Sequence, residues 1–253
     1  MPQSVIIIPC YNEAARLPTD GFASFKAEGV RLLFVDDGST DQTFDMLQEI
    51  ARTLPSASVL RLQQNAGKAE AVRQGILNAL EGQPDYVGYF DADLATPLYV
   101  VSLLVDCLEH DPQIELMLGS RVLLLGRCIE RNPARHYLSR VFATLASLML
   151  DLPVYDTQCG AKVLRVTQRT RGVFEQPFQC NWSFDVEMLG RYLSVYRNAP
   201  DLDEYSGFCE YPLPEWRDIP GSKVGIKDGF SVLLELAALY RGALYRLPRR
   251  PAR

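Results

Sequence analysis

Apolar positions along the chain fall into two alternating patterns. Short unbroken runs recur at Ser4–Ile8, Arg31–Val35, Ser58–Leu62, Tyr86–Phe90 and Ile114–Leu118. Runs of this length, rich in Val, Ile, Leu, Phe and Tyr, predict strands buried on both faces of a parallel sheet. Between them lie stretches with helical spacing, at 14–26 (broken early by Pro18), 42–53, 69–80 and 97–110. Gly38-Ser39-Thr40-Asp41 supplies a turn and an N-cap for the second of these, and Pro97 suits the first turn of the fourth. Strand and helix alternate four times in the first 120 residues. This predicts an α/β fold with a doubly wound, mostly parallel sheet and helices on both faces.

The second half is less regular. Residues 133–150 predict a helix, basic at its start and apolar from Val141. Residues 154–166 read as a loop leading into a short strand, 182–193 as a helix and 208–213 as a strand. Residues 229–247 form a long amphipathic pattern carrying Arg241 and Arg246, followed by a basic tail whose arginines and prolines predict disorder. There is no internal repeat and no clean linker. The expected organisation is one domain over 1–226, with an amphipathic helix and basic tail over 227–253.

In such sheets, ligands bind outside the carboxyl ends of the strands. Each predicted strand leads into a polar motif there: Tyr11–Glu13, Asp36-Asp37, Asn65–Lys68, Asp91–Asp93 and Gly119–Arg121. Five polar endings at one edge favour a binding site over independent surface loops.

Composition narrows the chemistry. The chain has 253 residues, 47% hydrophobic and 23% charged, an ordinary globular balance. A net charge of -5 argues against a general nucleic-acid binder. Six cysteines without a C-x-x-C pair, and no secretory signal, predict reduced thiols in a cytoplasmic protein. No apolar run is long enough to predict a transmembrane helix. Two histidines make a histidine base or a multi-histidine metal site a poor expectation. The first strand lacks a G-x-G-x-x-G turn, and Gly67-Lys68 is followed by Ala69, with Leu62 where a P-loop has its first glycine. What remains is an acidic edge, which repels phosphate unless a divalent cation bridges the two. Asp91 and Asp93 offer hard oxygens suited to Mg²⁺ or Mn²⁺. Read alone, the same pair also suits a helix cap and a solvated turn. Asp37 is placed to accept from a base N–H, whereas Asp36 suits bracing of its turn.

Several motifs, in order, carry a resemblance. Ile6-Ile7-Ile8-Pro9-Cys10-Tyr11-Asn12-Glu13, Phe34-Val35-Asp36-Asp37-Gly38-Ser39-Thr40-Asp41, Asn65-Ala66-Gly67-Lys68 and Asp91-Ala92-Asp93 resemble the inverting family 2 glycosyltransferases of the GT-A fold. Asp91 through Pro97, Gly119-Ser120-Arg121, Asp156-Thr157-Gln158-Cys159-Gly160 and Trp182 through Glu187 are similar to the polyprenyl-phosphate sugar synthases. Trp216, Gly221-Ser222-Lys223-Val224 and Tyr240-Arg241-Gly242-Ala243 narrow this to the dolichyl-phosphate β-glucosyltransferases, beside the dolichyl-phosphate mannose synthases.

The resemblance implies a metal-dependent transfer of a hexose from a nucleotide sugar to a polyprenyl or dolichyl phosphate. Pro9, Tyr11, Glu13 and Asp37 would hold base and ribose, with Lys68 near the nucleotide. Asp91 and Asp93 would bind nucleotide and metal, Mg²⁺ or Mn²⁺. Arg121, Arg135 and Ser139 would meet the lipid phosphate, and Asp156 and Gln158 would line the sugar and acceptor region. Ser222 and Lys223 would close over the donor diphosphate, Lys223 stabilising the leaving group alongside the metal. Mannosyl relatives often carry a glutamine where this chain has Ala95, which tilts the donor from GDP-mannose toward UDP-glucose. The alternatives are a GDP-mannose donor, a soluble hydroxyl acceptor served by Asp156 or Asp185 as base, and a sugar-nucleotide-binding scaffold. Asp185 and Glu187 lie two apart, so at most one faces a common site. Trp182 and Phe184 are expected in the core, Cys159 as a small buried hydrophobe, and Arg140 as a solvated charge. Residues 142–150 and 232–245 are expected chiefly in the core. The C-terminal helix with its arginines would supply any peripheral membrane contact.

Overall fold

A computed structural model describes residues 2–199, 203, 205–219 and 234–239, without the side chains of Pro133, Ala134, Arg135 and Leu138. In chain order its elements are β1 (Ser4–Cys10), α1 (Thr19–Ala23), β2 (Val30–Asp36), α2 (Thr43–Thr53), β3 (Ala57–Arg61), α3 (Lys68–Glu81), β4 (Tyr86–Phe90) and α4 (Val100–His110). There follow β5 (Leu116–Ser120), β6 (Cys128–Glu130), α5 (Pro133–Leu150), β7 (Ala161–Arg165), α6 (Gln168–Glu175), α7 (Phe184–Arg197), β8 (Phe208–Pro212) and β9 (Glu215–Arg217).

The main sheet has seven strands in the order β3-β2-β1-β4-β7-β5-β8. All run parallel except β7, which is antiparallel to both β4 and β5. Alternate residues of each strand feed opposite core layers. Val5, Ile7, Leu33 and Val35 pack with Val72, Ile76 and Leu80 of α3 and with α7. Ile6, Ile8, Leu32 and Phe34 pack with Phe22, Leu47, Ile50 and α4. A Cβ on Gly75 would lie 2.8 Å from Ile7 and Val35, so this glycine lets α3 close on the sheet.

The sheet is thus mixed: the short strand expected at the end of 154–166 is present as β7, but it lies centrally and runs antiparallel. Lys162 is an unexpected residue for a central strand. Its side chain is fully buried, and its Nζ pairs with Asp185 at 2.7 Å and donates to the Cys159 carbonyl at 2.6 Å. The first predicted helix shrinks to α1, because Glu13 turns the chain back through bonds to Arg16 and Leu17 N–H and Pro18 precedes the helix. A second sheet pairs β6 with β9 in parallel, Ile129 opposite Trp216, from segments too short to show a period. The helix α6 was not expected; a reciprocal Thr167–Thr170 capping box starts it. Of the C-terminal helix only 234–239 is described. Leu236 and Leu239 there are buried in the layer that holds α7, so this part packs on the core. Ser222, Lys223, Arg241, Arg246 and the 226/227 boundary lie outside the described residues.

Candidate active site

The carboxyl ends of β1, β2 and β4 and the start of α3 open onto a cleft of about 370 Å³. It brings together Pro9, Tyr11, Glu13, Asp37, Lys68, Asp91 and Asp93, all expected there, with Arg16, Asn181 and Trp182, which were not. Trp182 therefore faces the cleft, while Phe184 is buried in the core.

Asp37 builds the cleft wall. Its Oδ1 accepts the Ala66 N–H and its Oδ2 the Gly67 N–H, both at 2.8 Å, and Asn65 Nδ2 donates to Oδ2 at 3.0 Å. Burial holds this carboxyl above the usual range despite those amides. Both oxygens are engaged in shaping the turn into α3, which leaves Asp37 less free for a base N–H than expected. Asp36 braces its turn as read, accepting from Ser39 N–H at 3.3 Å and facing Arg61 at 3.2 Å.

The acidic pair has basic partners. Lys68 Nζ donates to Asp91 Oδ1 at 2.5 Å. Burial pulls the Lys68 ammonium down, but Asp91 and Asp185 outweigh it and leave the pKa raised. Asp93 accepts from Ala95 N–H at 3.1 Å and faces Arg16 Nη1 at 3.6 Å. Arg16 is also hydrogen-bonded through Nε and Nη2 to the Glu13 carboxylate. Glu13, expected at the base or ribose, is therefore tied to an arginine that reaches Asp93. Burial and then the charge of Asp91 hold the Asp93 carboxyl above its ordinary range. Two hard carboxylates side by side in a cleft fit a divalent cation, which would be held by Asp91 and Asp93. Among the described residues no group of three His, Cys, Asp or Glu forms a complete metal site, so further ligands would come from substrate and water.

A second group lies around β5, the loop before β7, and β9. Arg121 donates Nε to Asp156 Oδ2 at 2.7 Å, Nη2 to Oδ1 at 2.8 Å, and its backbone N–H to Oδ2 at 3.0 Å. Burial opposes ionisation of Asp156, but Arg121 wins and holds its pKa well below the usual range. Glu210 of β8 accepts the N–H groups of Tyr155 and Asp156 at 2.7 and 2.8 Å and fixes that loop. Gln158 Nε2 is buried without a hydrogen-bond partner among the described residues. Arg121 and Arg131 flank the Trp216 ring at 5.4 and 5.6 Å. Arg131 donates to Ser139 Oγ at 2.8 Å, and burial and then Arg121 lower its pKa. Two guanidiniums thus meet at one ring, Arg121 with its charge matched by Asp156 and Arg131 bound to a neutral hydroxyl. Arg131 and Trp216 were not among the expected binding residues, although Trp216 was part of the motifs that carried the resemblance. The side chain of Arg135 lies outside the described residues. Arg140 is not solvated as expected: it donates to the Tyr155 carbonyl at 2.7 Å and stacks on that ring at 3.6 Å.

Breaking the Arg121–Asp156 pair strands a buried charge. Arg121→Ala is expected to cost about 3–5 kcal/mol of stability, read as a lowered urea midpoint. The folded pKa of Asp156 lies below its unfolded value, so its contribution is present above about pH 4 and lost as pH falls through the folded pKa. Asp156→Asn should flatten that acid limb; an unchanged slope would exclude the pair as its source.

Asp185 and Glu187 are both buried and face different partners. Asp185 meets Lys162 and the Tyr89 hydroxyl, whereas Glu187 Oε2 accepts the Gln179 and Cys180 N–H groups at 2.8 and 3.1 Å. Neither Asp156 nor Asp185 is therefore an unpaired base.

The model of the family described as "Glycosyl transferase family 2" matches residues 5–167. The chain belongs to glycosyl transferase family 2. It is 30% identical over 248 residues to the dolichyl-phosphate β-glucosyltransferase of Dictyostelium discoideum, covering 92% of this chain and 71% of that relative. The Homo sapiens protein of the same description is also 30% identical, covering 88% and 69%. The family 2 architecture recurs in a solved structure of Mycobacterium tuberculosis glucosyl-3-phosphoglycerate synthase with Mn²⁺, UDP-glucose and phosphoglyceric acid. That match has a TM-score of 0.63 at 19% identity, covering 94% of this chain and 80% of that one. A Pyrobaculum calidifontis mannosyltransferase with GDP-mannose and Mn²⁺ gives 0.57 at 17% identity, covering 99% and 66%. The fold is GT-A and the protein is a glycosyltransferase, as the motifs implied.

Proposed function

We propose that this glycosyltransferase moves glucose from UDP-glucose to a polyprenyl phosphate of the dolichyl type, with inversion. The donor is read into the cleft of Asp91 and Asp93, and the acceptor phosphate onto Arg121, Arg131 and Ser139, with Arg135 assigned to it by the resemblance alone. A phosphate oxygen attacks the anomeric carbon in line, the new C–O bond forms as the bond to the diphosphate breaks, and UDP leaves. A phosphate monoester is already anionic near neutral pH. No carboxylate base is required, in keeping with the ion-paired state of Asp156 and Asp185. A divalent cation bound by Asp91 and Asp93 would supply charge neutralisation for the diphosphate. Lys68, Ser222 and Lys223 are assigned to the same leaving group.

One observation carries the lipid acceptor. The arginine pair around Trp216 adjoins α5, whose residues Tyr137, Val141, Leu145 and Leu148 form an exposed apolar stripe at helical spacing. Leu123, Leu124 and Leu125 add an exposed apolar loop just after Arg121. Cationic groups beside an apolar face suit a phosphate headed by a hydrocarbon chain at a membrane surface. No helix among the described residues is long and apolar enough to cross a membrane. The stripe moves the proposed peripheral contact from the C-terminal helix to α5.

The test is transfer of label from radiolabelled UDP-glucose into the organic phase, with Mg²⁺ or Mn²⁺ and a short polyprenyl phosphate. Label should move only with the lipid phosphate and fall sharply in Arg131→Ala. Transfer from GDP-mannose alone would overturn the donor. Silence with both donors, despite nucleotide binding, would overturn the lipid acceptor.

A further inference from the structure

Glu235 lies in the C-terminal helical turn 234–239, remote in sequence from every motif of the cleft. Its Oε2 accepts the backbone N–H of Ser183 at 2.8 Å and of Trp182 at 3.2 Å. These amides stand at the start of α7, where N–H groups lack intrahelical acceptors. Ser183, the N-cap residue, provides no side-chain capping bond. A carboxylate from a distant segment therefore caps α7 at the positive end of its dipole. Leu236 and Leu239 are buried in the core and hold the turn in place.

The capped segment is a wall of the cleft. Asn181 and Trp182 line it, and Asn181 is packed against the opposite wall. A Cβ on Gly67 would fall 2.3 Å from Asn181 Oδ1. Gly67 donates its N–H to Asp37 and directly precedes Lys68, which pairs with Asp91. A contiguous path of contacts thus runs from Glu235 through the 181–183 segment and Gly67 to the acidic pair.

We propose that Glu235 is a positioning residue for the donor: the C-terminal helix, through this carboxylate, sets the Asn181–Trp182 wall against which the nucleotide binds. The proposal rests on reading the cleft as the nucleotide-diphosphate site.

The test measures UDP affinity by calorimetry with Mg²⁺ present, well below the melting temperature, for wild type, Glu235→Ala and Glu235→Gln. Loss of the cap should weaken UDP binding about tenfold in Glu235→Ala and raise the KM for the donor more than it lowers kcat. Glu235→Gln, whose amide oxygen still accepts one N–H, should fall between and serves if the alanine variant does not fold. Trp182 emission, read in a Trp216→Phe background, should shift in Glu235→Ala even without nucleotide. A lowered Tm with UDP affinity within twofold of wild type and unshifted emission would make Glu235 a stabilising cap only and overturn the proposal. Failure of the wild type to bind UDP, with the emission shift intact, would overturn the cleft's assignment and the donor role together. It would leave only the mechanical coupling of Glu235 to Trp182.

Discussion

Asp93→Asn is expected to lower glycosyl transfer by about a thousandfold while leaving the fold intact. Asparagine keeps the shape of the side chain, and its oxygen can still accept from the Ala95 N–H that Asp93 now holds at 3.1 Å. What it removes is charge. Asp93 is kept hard to ionise by burial and by Asp91, the arrangement a cation relieves. With asparagine there, Arg16 Nη1 loses the carboxylate it faces at 3.6 Å, and the cleft has one anionic oxygen donor residue fewer for a divalent ion. The measurement is single-turnover transfer together with metal-dependent UDP binding. Both should drop, with a melting temperature near that of the wild type. Transfer within tenfold of wild type would remove Asp93 from the site.

Gly160→Ala should cost at least about a hundredfold in transfer, though the added methyl group is chemically inert. A Cβ at this position would stand 1.8 Å from Asp91 Oδ2 and 2.2 Å from its Cγ. No side chain tolerates that separation, so one of two neighbours must give. If Asp91 swings away, its 2.5 Å pairing with Lys68 breaks. If the backbone moves, the bond from Asp91 N–H to the Gly160 carbonyl at 3.0 Å is lost and the entry to β7 shifts. Either change displaces a carboxylate assigned to donor binding, for an overpacking cost of about 1–3 kcal/mol in stability. Gly172→Ala is the control. Its Cβ would meet nothing within 4 Å, and a helix-interior glycine replaced by alanine should be neutral or slightly stabilising. Equal activity in the two variants would show that Asp91 need not occupy its observed position.

Gly160 also marks where sequence reasoning stopped. The motif Asp156–Gly160 was legible as part of the site, but its glycine had no stated reason. The reason is the direction of the short strand that follows it. β7 runs against its neighbours and presents its amino end at the edge where the parallel strands present their carboxyl ends. That reversal carries residues 156–160 to the same edge as Asp91. A buried lysine at 162 gives the wrong polarity for a central strand unless its partner, Asp185, is known, and Asp185 comes from another element.

The sheet edge itself was readable because each parallel strand is a local event. An apolar run ends, a polar motif follows, and the right-handed crossover puts all such ends on one side. Pro9, Tyr11, Glu13, Asp37, Lys68, Asp91 and Asp93 follow from that rule and meet in one cleft. Their individual contacts do not follow. Tyr11, Glu13 and Asp37 looked alike as ligands, yet Asp37 spends its oxygens on the 65–67 turn and Glu13 on Arg16. Arg16 lies in a stretch that looked helical, and only the turn at Glu13 brings its guanidinium round to Asp93.

The amino-acid sequence by itself determined the α/β alternation, the family and the acidic edge, since these depend on short-range periodicity and on motifs contiguous in the chain. Tertiary structure alone decided the antiparallel β7, the gathering of Arg121, Arg131 and Trp216, the outward apolar stripe of α5 and the cap from Glu235 on α7. Each of these joins segments far apart in sequence, where a side chain's partner, and so whether its charge is neutralised or exposed, is fixed by packing rather than by its neighbours along the chain.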